Sequence, residues 1–95
     1  YVAAKAGVLA LSRLLAYELG ADGITSNAIS PSAVLTDRIK VVRGPEERAA
    51  TAATIPLGRY GEVDDLVAWM LFLASEESGY MTGETIAVNG GRFMS

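Results

Sequence analysis

Residues 24–37 read ITSNAISPSAVLTD, and the way this stretch divides decides the fold. Ile24 to Ser30 is short, opens on β-branched residues and is fenced by Gly23 and Pro31, which is the pattern of a strand. Thr25 and Ser26 make it more polar than a strand covered on both faces. Pro31 to Asp37 then reads as a loop leaving the strand's carboxyl end. In open α/β sheets ligands lie in the crevice beyond that end, so this loop is a candidate binding segment. Pro31 fixes the backbone, Ser32 and Ala33 are small enough for close approach, and Thr36 offers a hydroxyl. A plain connecting loop is the competing reading.

Upstream, residues 1–19 favour helix by propensity, with Ala3, Ala4, Ala6, Leu9, Leu11, Leu14, Leu15 and Leu19. The helix stops at Gly20 or Gly23. Its apolar residues run almost all the way round, so it is expected to be covered on more than one side. Downstream, residues 38–54 are the least hydrophobic stretch. Gly44-Pro45-Glu46-Glu47 predicts a short helix from Pro45 to about Thr54, with Pro in the first turn and two acids at the positive end of the dipole. Pro56, Gly58 and Gly61 break the chain. Residues 62–75 form a second strong helix, whose Val63, Leu66, Val67, Met70, Leu71 and Ala74 follow the i, i+3, i+4, i+7 pattern. Trp69, Phe72 and Leu73 lie on its opposite face, so this helix too is expected to need cover on both sides, the first stripe packing on the sheet and the Trp69 face left in water in a lone monomer. Glu84 to Asn89 is a final strand, stopped by Gly90-Gly91.

Strand 24–30, a crossover helix and strand 84–89 compose one right-handed βαβ unit with parallel strands. Parallel sheets normally hold more than two strands and are covered on both faces. The fold class is therefore α/β, as the last piece of a larger doubly wound sheet. The chain is 95 residues long, which predicts a single domain over residues 1–95. A formal net charge of −3 points away from nucleic acid, whose phosphates attract Lys and Arg. The longest apolar run, Ala68 to Ala74, is far short of a membrane span. With no Cys and no His, thiol chemistry, Ser-His hydrolysis and most zinc sites are excluded. A cytoplasmic location is expected.

Tyr1 and Lys5 are four residues apart, which places them on one face of the helix with Cβ atoms roughly 6 Å apart. A free phenol ionises only near pH 10, so it is a poor acid–base catalyst at neutral pH. A neighbouring ammonium stabilises the phenolate and lets the tyrosine exchange a proton with a carbonyl or alcohol oxygen. Such pairs also occur on solvated helix faces, and the spacing alone leaves both readings open.

Taken in order, Tyr1-x-x-x-Lys5, SNAISPSAVLTD, IPLGRYGEVDDLVAWMLFLAS and YMTGETIAVNGG resemble the carboxyl-terminal part of the short-chain dehydrogenase/reductase family, over nearly the whole chain. The likeness is to members of the 3-oxoacyl carrier-protein reductase kind. The resemblance implies the carboxyl-terminal βαβ portion of a doubly wound Rossmann-type parallel sheet. It implies that Tyr1 is the catalytic acid–base, and that Lys5 tunes it and holds the nicotinamide ribose. Pro31, Ser32, Val34 and Thr36 match the cofactor-binding segment around the nicotinamide carboxamide, Val34 through its backbone. Asn27 matches a structural strand residue, residues 37–54 the variable substrate loop, and Thr82-Gly83 with Asn89-Gly90-Gly91 the final turn and strand. The family's Gly-rich dinucleotide turn, its NAD/NADP selector and its catalytic Ser and Asn precede its Tyr, so they are expected upstream.

Three residues depart from the family pattern. Ser32 replaces a usual Gly, which would cost about 1 kcal/mol if that position needs a positive φ and would crowd the nicotinamide. Ser26 replaces an aliphatic residue and is expected to weaken the strand. Asn89 replaces a common Asp. The expected function is hydride transfer between NAD or NADP and a small carbonyl or alcohol substrate, by a chain that is a fragment inactive alone and that associates with copies of itself or with its own upstream segment. The alternative is a truncated, non-catalytic module that self-associates through its apolar helices. No metal site, nucleic acid or membrane enters either reading.

Overall fold

The computed structural model describes residues 1–94. Their elements are α1 (Val2–Leu19), β1 (Ala28–Pro31), α2 (Asp37–Val42), α3 (Pro45–Ala53), α4 (Val63–Leu73) and β2 (Thr85–Val88). β1 and β2 pair in parallel as a two-stranded sheet, with α2, α3 and α4 between them in sequence. This is the α/β architecture that the strand–helix–strand order predicts. The described residues cluster into two compact units. One joins Tyr1–Ile29 to Trp69–Ile86, and the other joins Ser30–Ala68 to the residues from Ala87 on.

In the first unit, the less exposed residues of α1 are Leu9, Ser12, Ala16 and Leu19, spaced as one helical face. Ala16 is 7% exposed. A 3₁₀ turn, Gly20–Asp22, follows α1 and ends at Gly23. The strand expected from Ile24 begins four residues later, at Ala28. The cause is polar. Ser26 N–H donates to Thr82 Oγ1 (3.0 Å), and Ser26 O accepts from Gly83 N–H (2.7 Å). Asn27 Nδ2 donates to Met81 O (3.1 Å) while its Oδ1 accepts from Glu84 N–H (3.1 Å). Residues 26 and 27 thus spend their hydrogen bonds clamping the turn before β2, and the regular ladder starts after them. Ser26 Oγ also lies 3.1 Å from Ser12 Oγ on α1. The substitution expected to weaken the strand is instead a tie between helix and clamp. At the end of α4, the buried Ser78 hydroxyl reaches the Leu73 (3.1 Å) and Ser75 (3.0 Å) carbonyls, covering acceptors the helix terminus leaves open.

In the second unit, α2 is a helix where the sequence predicts none. Thr36 is its N-cap, with Oγ1 accepting from Ile39 N–H (3.3 Å), and Asp37 stands in the first turn. β-Branched Val41 and Val42 hid that signal. α3 follows after Gly44, with Pro45 at its start as predicted. The chain then closes on itself through a parallel bridge between Val34 and Gly61. Leu35 N–H donates to Gly61 O (2.8 Å) and Gly61 N–H to Ala33 O (2.9 Å). α4 opens with Asp65 reaching back to Glu62 N–H (2.7 Å), the acidic half of a capping box. Ile55, 4% exposed, is the buried apolar residue of this unit.

The stripe on α4 expected to be packed is not. Met70 is 58% and Leu71 68% exposed, and Val63 and Val67 are exposed too. Trp69 and Phe72, expected on the uncovered side, meet edge to face at 5.8 Å between centroids. Among the described residues no helix is long and apolar enough to cross a membrane.

Candidate active site

The first unit carries the tyrosine–lysine pair. Tyr1 is the residue before α1 and its O accepts from Lys5 N–H (3.0 Å), so the first helical turn closes between the two residues. Lys5 Nζ lies 5.1 Å from the centroid of the Tyr1 ring. The ammonium therefore stands over the aromatic face, a cation–π contact. Tyr1 itself is 89% exposed, so its phenol is open to an incoming oxygen.

The second unit carries the loop. Pro31 closes β1, Val34 is held in register by its bridge to Gly61, and Thr36 is pinned as the cap of α2. All four residues expected to hold the cofactor, Pro31, Ser32, Val34 and Thr36, line one cleft of about 690 Å³. Ile39 and Arg43 of α2 and its C-terminal cap, Thr51 of α3, Tyr60, Val63 and Leu66 near the start of α4, and Arg92 complete its walls. This volume lies within the usual range for small-molecule sites, roughly 300–1,000 Å³. Pro31, Val34 and Leu66 give it apolar wall, and Ser32, Thr36 and Tyr60 give it hydroxyls. Thr36 Oγ1 already accepts from Ile39, which leaves its O–H free to donate.

Ser32 corrects an expectation. No non-glycine residue among those described has a positive φ, so Ser32 carries none of the strain foreseen for it. Its Oγ instead accepts from Arg92 Nη1 at 3.4 Å. No local pattern in the sequence singles out Arg92. It follows the Gly90-Gly91 turn, and nothing local says that this turn carries it back to Ser32.

One ion pair ties the segment before α4 to its first turn. Arg59 Nη1 donates to Asp65 Oδ2 (3.0 Å) and to Tyr60 O (2.9 Å). The Arg59 guanidinium, with help from Glu62 N–H, holds the Asp65 carboxyl below the usual carboxylate range, and Asp65 in turn raises Arg59. Arg43 pairs with Glu47 at 3.1 Å across the α2–α3 corner. Among the described residues no cluster of three or more metal-ligating side chains occurs.

The parallel βαβ order, with a loop leaving the carboxyl end of β1, defines a class: α/β proteins of the Rossmann type. The family model described as Enoyl-(Acyl carrier protein) reductase matches residues 1–92. The chain belongs to the short-chain dehydrogenase/reductase family. It is 44% identical over 95 residues to the 3-oxoacyl-[acyl-carrier-protein] reductase FabG of Haemophilus influenzae, covering all of this chain and 39% of that protein. It is 43% identical over 93 residues to the acetoacetyl-CoA reductase of Shinella zoogloeoides, covering 98% of this chain and 39% of that one. Among solved structures, YwfH, an NADPH-dependent reductase involved in bacilysin biosynthesis, superposes with a TM-score of 0.86 at 31% identity, over 95% of this chain and 38% of that chain. A short-chain type dehydrogenase/reductase from Mycobacterium ulcerans gives 0.85 at 36% identity, over 93% of this chain and 32% of that one. The chain spans about 39% of the length of the curated relatives it matches.

Proposed function

We propose that the chain supplies the acid–base pair and one wall of the nicotinamide site of an NAD(P)-dependent oxidoreductase acting on a small carbonyl or alcohol substrate. The observation that carries this is the convergence of Pro31, Ser32, Val34 and Thr36 on one cleft, in a chain whose Tyr1 and Lys5 share a helical turn. A bound dinucleotide would supply the redox chemistry, its reduced form (NADH or NADPH) giving hydride to the carbonyl carbon and its oxidised form taking hydride from the alcohol. Tyr1 gives a proton to the carbonyl oxygen on reduction and takes it back on oxidation. Lys5 holds its ammonium over the face of that ring. Pro31 and Val34 offer apolar wall to the nicotinamide, and the Thr36 hydroxyl with the Val34 backbone holds its carboxamide. Residues 37–54 shape the substrate end, and their α2 and α3 line the same cleft.

The relatives' lengths support placing residues 1–95 within one larger domain, working with further polypeptide; a cytoplasmic location is part of the same proposal. The assembly proposed is with that polypeptide or with copies of the same chain. The non-catalytic, self-associating module draws on the same exposed faces of α1 and α4, and a natural mass near 10.0 kDa would favour it. The test of the catalytic reading is Tyr1→Phe in the full-length protein. Turnover should fall 10²- to 10⁴-fold, as general acid–base catalysis is worth, with dinucleotide affinity nearly unchanged. Retention of more than about a tenth of the rate would refute the role.

A further inference from the structure

Resting on that reading, we infer that the cleft recognises an oxyanion on the substrate, a carboxylate or a phosphate ester, and that Arg92 is the residue that holds it. The chain as a whole is acidic, with a formal net charge of −3. The cleft is the reverse. Its walls include two guanidiniums, Arg43 and Arg92, and no Asp or Glu. The two arginines differ. Arg43 spends its charge on Glu47 at 3.1 Å. Arg92 meets a neutral hydroxyl, Ser32 Oγ at 3.4 Å, and the Phe93 ring at 5.5 Å. Among the described residues no carboxylate pairs with it.

A guanidinium has five donors in a planar fork. Here one donor makes a long bond to Ser32. A half-buried charge in a cleft walled by Pro31 and Val34 has lost water, no counter-ion meets it among the described residues, and a ligand oxyanion would restore the balance. Ser32 completes the arrangement. Its oxygen accepts from Arg92, which orients the fork, and its own O–H remains to donate to the same oxyanion. The planar fork suits a carboxylate or phosphate better than a lysine would.

The test uses the full-length protein and matched ketones that differ in charge: acetoacetate against ethyl acetoacetate, and dihydroxyacetone phosphate against dihydroxyacetone. Arg92→Met should lower the ratio of kcat/KM, charged over neutral, by about 10- to 100-fold, mainly through KM, as loss of a charged hydrogen bond predicts. Arg92→Lys should restore part of the ratio, and Arg13→Met, on the exposed side of α1, should keep it. An unchanged ratio in Arg92→Met overturns the inference. So does a loss confined to the KM of the dinucleotide, which would assign Arg92 to a cofactor phosphate. A second measurement needs no turnover: titration of acetoacetate and of inorganic phosphate into cofactor-free protein, followed by NMR. Saturable binding weakened at least tenfold in Arg92→Met supports the assignment. Absence of binding, or equal binding by both proteins, sinks it even if Tyr1→Phe has shown the enzyme to be an oxidoreductase.

Discussion

Gly90→Ala should be among the most damaging single-methyl additions available in this chain, and its cost can be divided in advance. Gly90 has φ +63°, and a Cβ built there would lie 2.8 Å from Ile55 Cγ2 and 3.6 Å from Leu57 Cβ. Two effects add. Alanine in the left-handed region costs roughly 1–2 kcal/mol. Forcing a carbon against a packed side chain costs roughly 1–3 kcal/mol more. Ile55 is buried at 4% exposure and has little room to turn. The backbone is also restrained, because Gly90 O accepts from Leu57 N–H at 3.1 Å. Alanine stiffens the unfolded chain and returns roughly 0.4–1 kcal/mol. The net cost is about 1–4.5 kcal/mol.

Gly58 is the matched control. Its φ is +74°, and a Cβ there meets nothing within 4 Å. Gly58→Ala should therefore cost only the backbone part, about 0.5–1.5 kcal/mol. Urea unfolding of the full-length variants, compared at constant m, reads both values. Ile55→Ala closes the cycle by deleting the struck carbon. In that background Gly90→Ala should fall to the cost of Gly58→Ala, leaving a coupling of about 1–3 kcal/mol. Equal costs for the two glycines, or no coupling to Ile55, would refute the contact.

Two further predictions concern Ser32 and the Arg59–Asp65 pair. Ser32→Gly should destabilise the protein modestly, by about 0.5–1 kcal/mol of backbone entropy, because Ser32 carries no positive φ to relieve; a stabilised variant in urea would show hidden strain. The Arg59–Asp65 pair should weaken in acid. Because Asp65 is held below the ordinary carboxylate range, its contribution is complete at neutral pH, starts to fall as pH drops through about 4, and keeps falling below that. The urea midpoints of wild type and Asp65→Asn should therefore converge on acidification, and a gap independent of pH would count against the pair.

The helices were legible because their signals are local. Glycine punctuation ended α1, Pro45 after Gly44 started α3, and 3.6-residue periodicity gave α4. β1 was misjudged at its start because Ser26 and Asn27 bond to residues 81–84, across more than fifty positions of sequence. α2 leaves little local sign because its evidence is a single cap, Thr36, set against three β-branched residues, Ile39, Val41 and Val42. The same division holds at the site. The spacing of Tyr1 and Lys5 and the loop after β1 could be read directly. Arg92 could not, because its meeting with Ser32 is a product of the turn at Gly90 and leaves no trace near either residue.

The apolar stripe of α4 was read correctly as a stripe and wrongly as an interior, and that error is informative. Val63, Val67, Met70 and Leu71 follow helical spacing, yet each is exposed. α1 repeats the pattern with Val8, Leu11 and Leu15. Ala16 and Ile55 are the buried apolar residues among those described. Order in the two units leans instead on polar ties such as Asn27 to Met81 and Glu84, and Asp65 to Glu62 and Arg59. A hydrogen bond nets about 1 kcal/mol, whereas fixing one residue's backbone costs about 1–2 kcal/mol. Such ties specify a fold but do not carry it. Two coherent apolar stripes left in water supply the missing term once they are covered, because burial of a Leu, Met or Val side chain yields about 1.5–3 kcal/mol. The 95-residue chain by itself should then either sediment above its 10.0 kDa monomer mass or show poorly dispersed amide resonances. A 10.0 kDa monomer with full chemical-shift dispersion would show that the polar ties suffice and that neither stripe needs a partner.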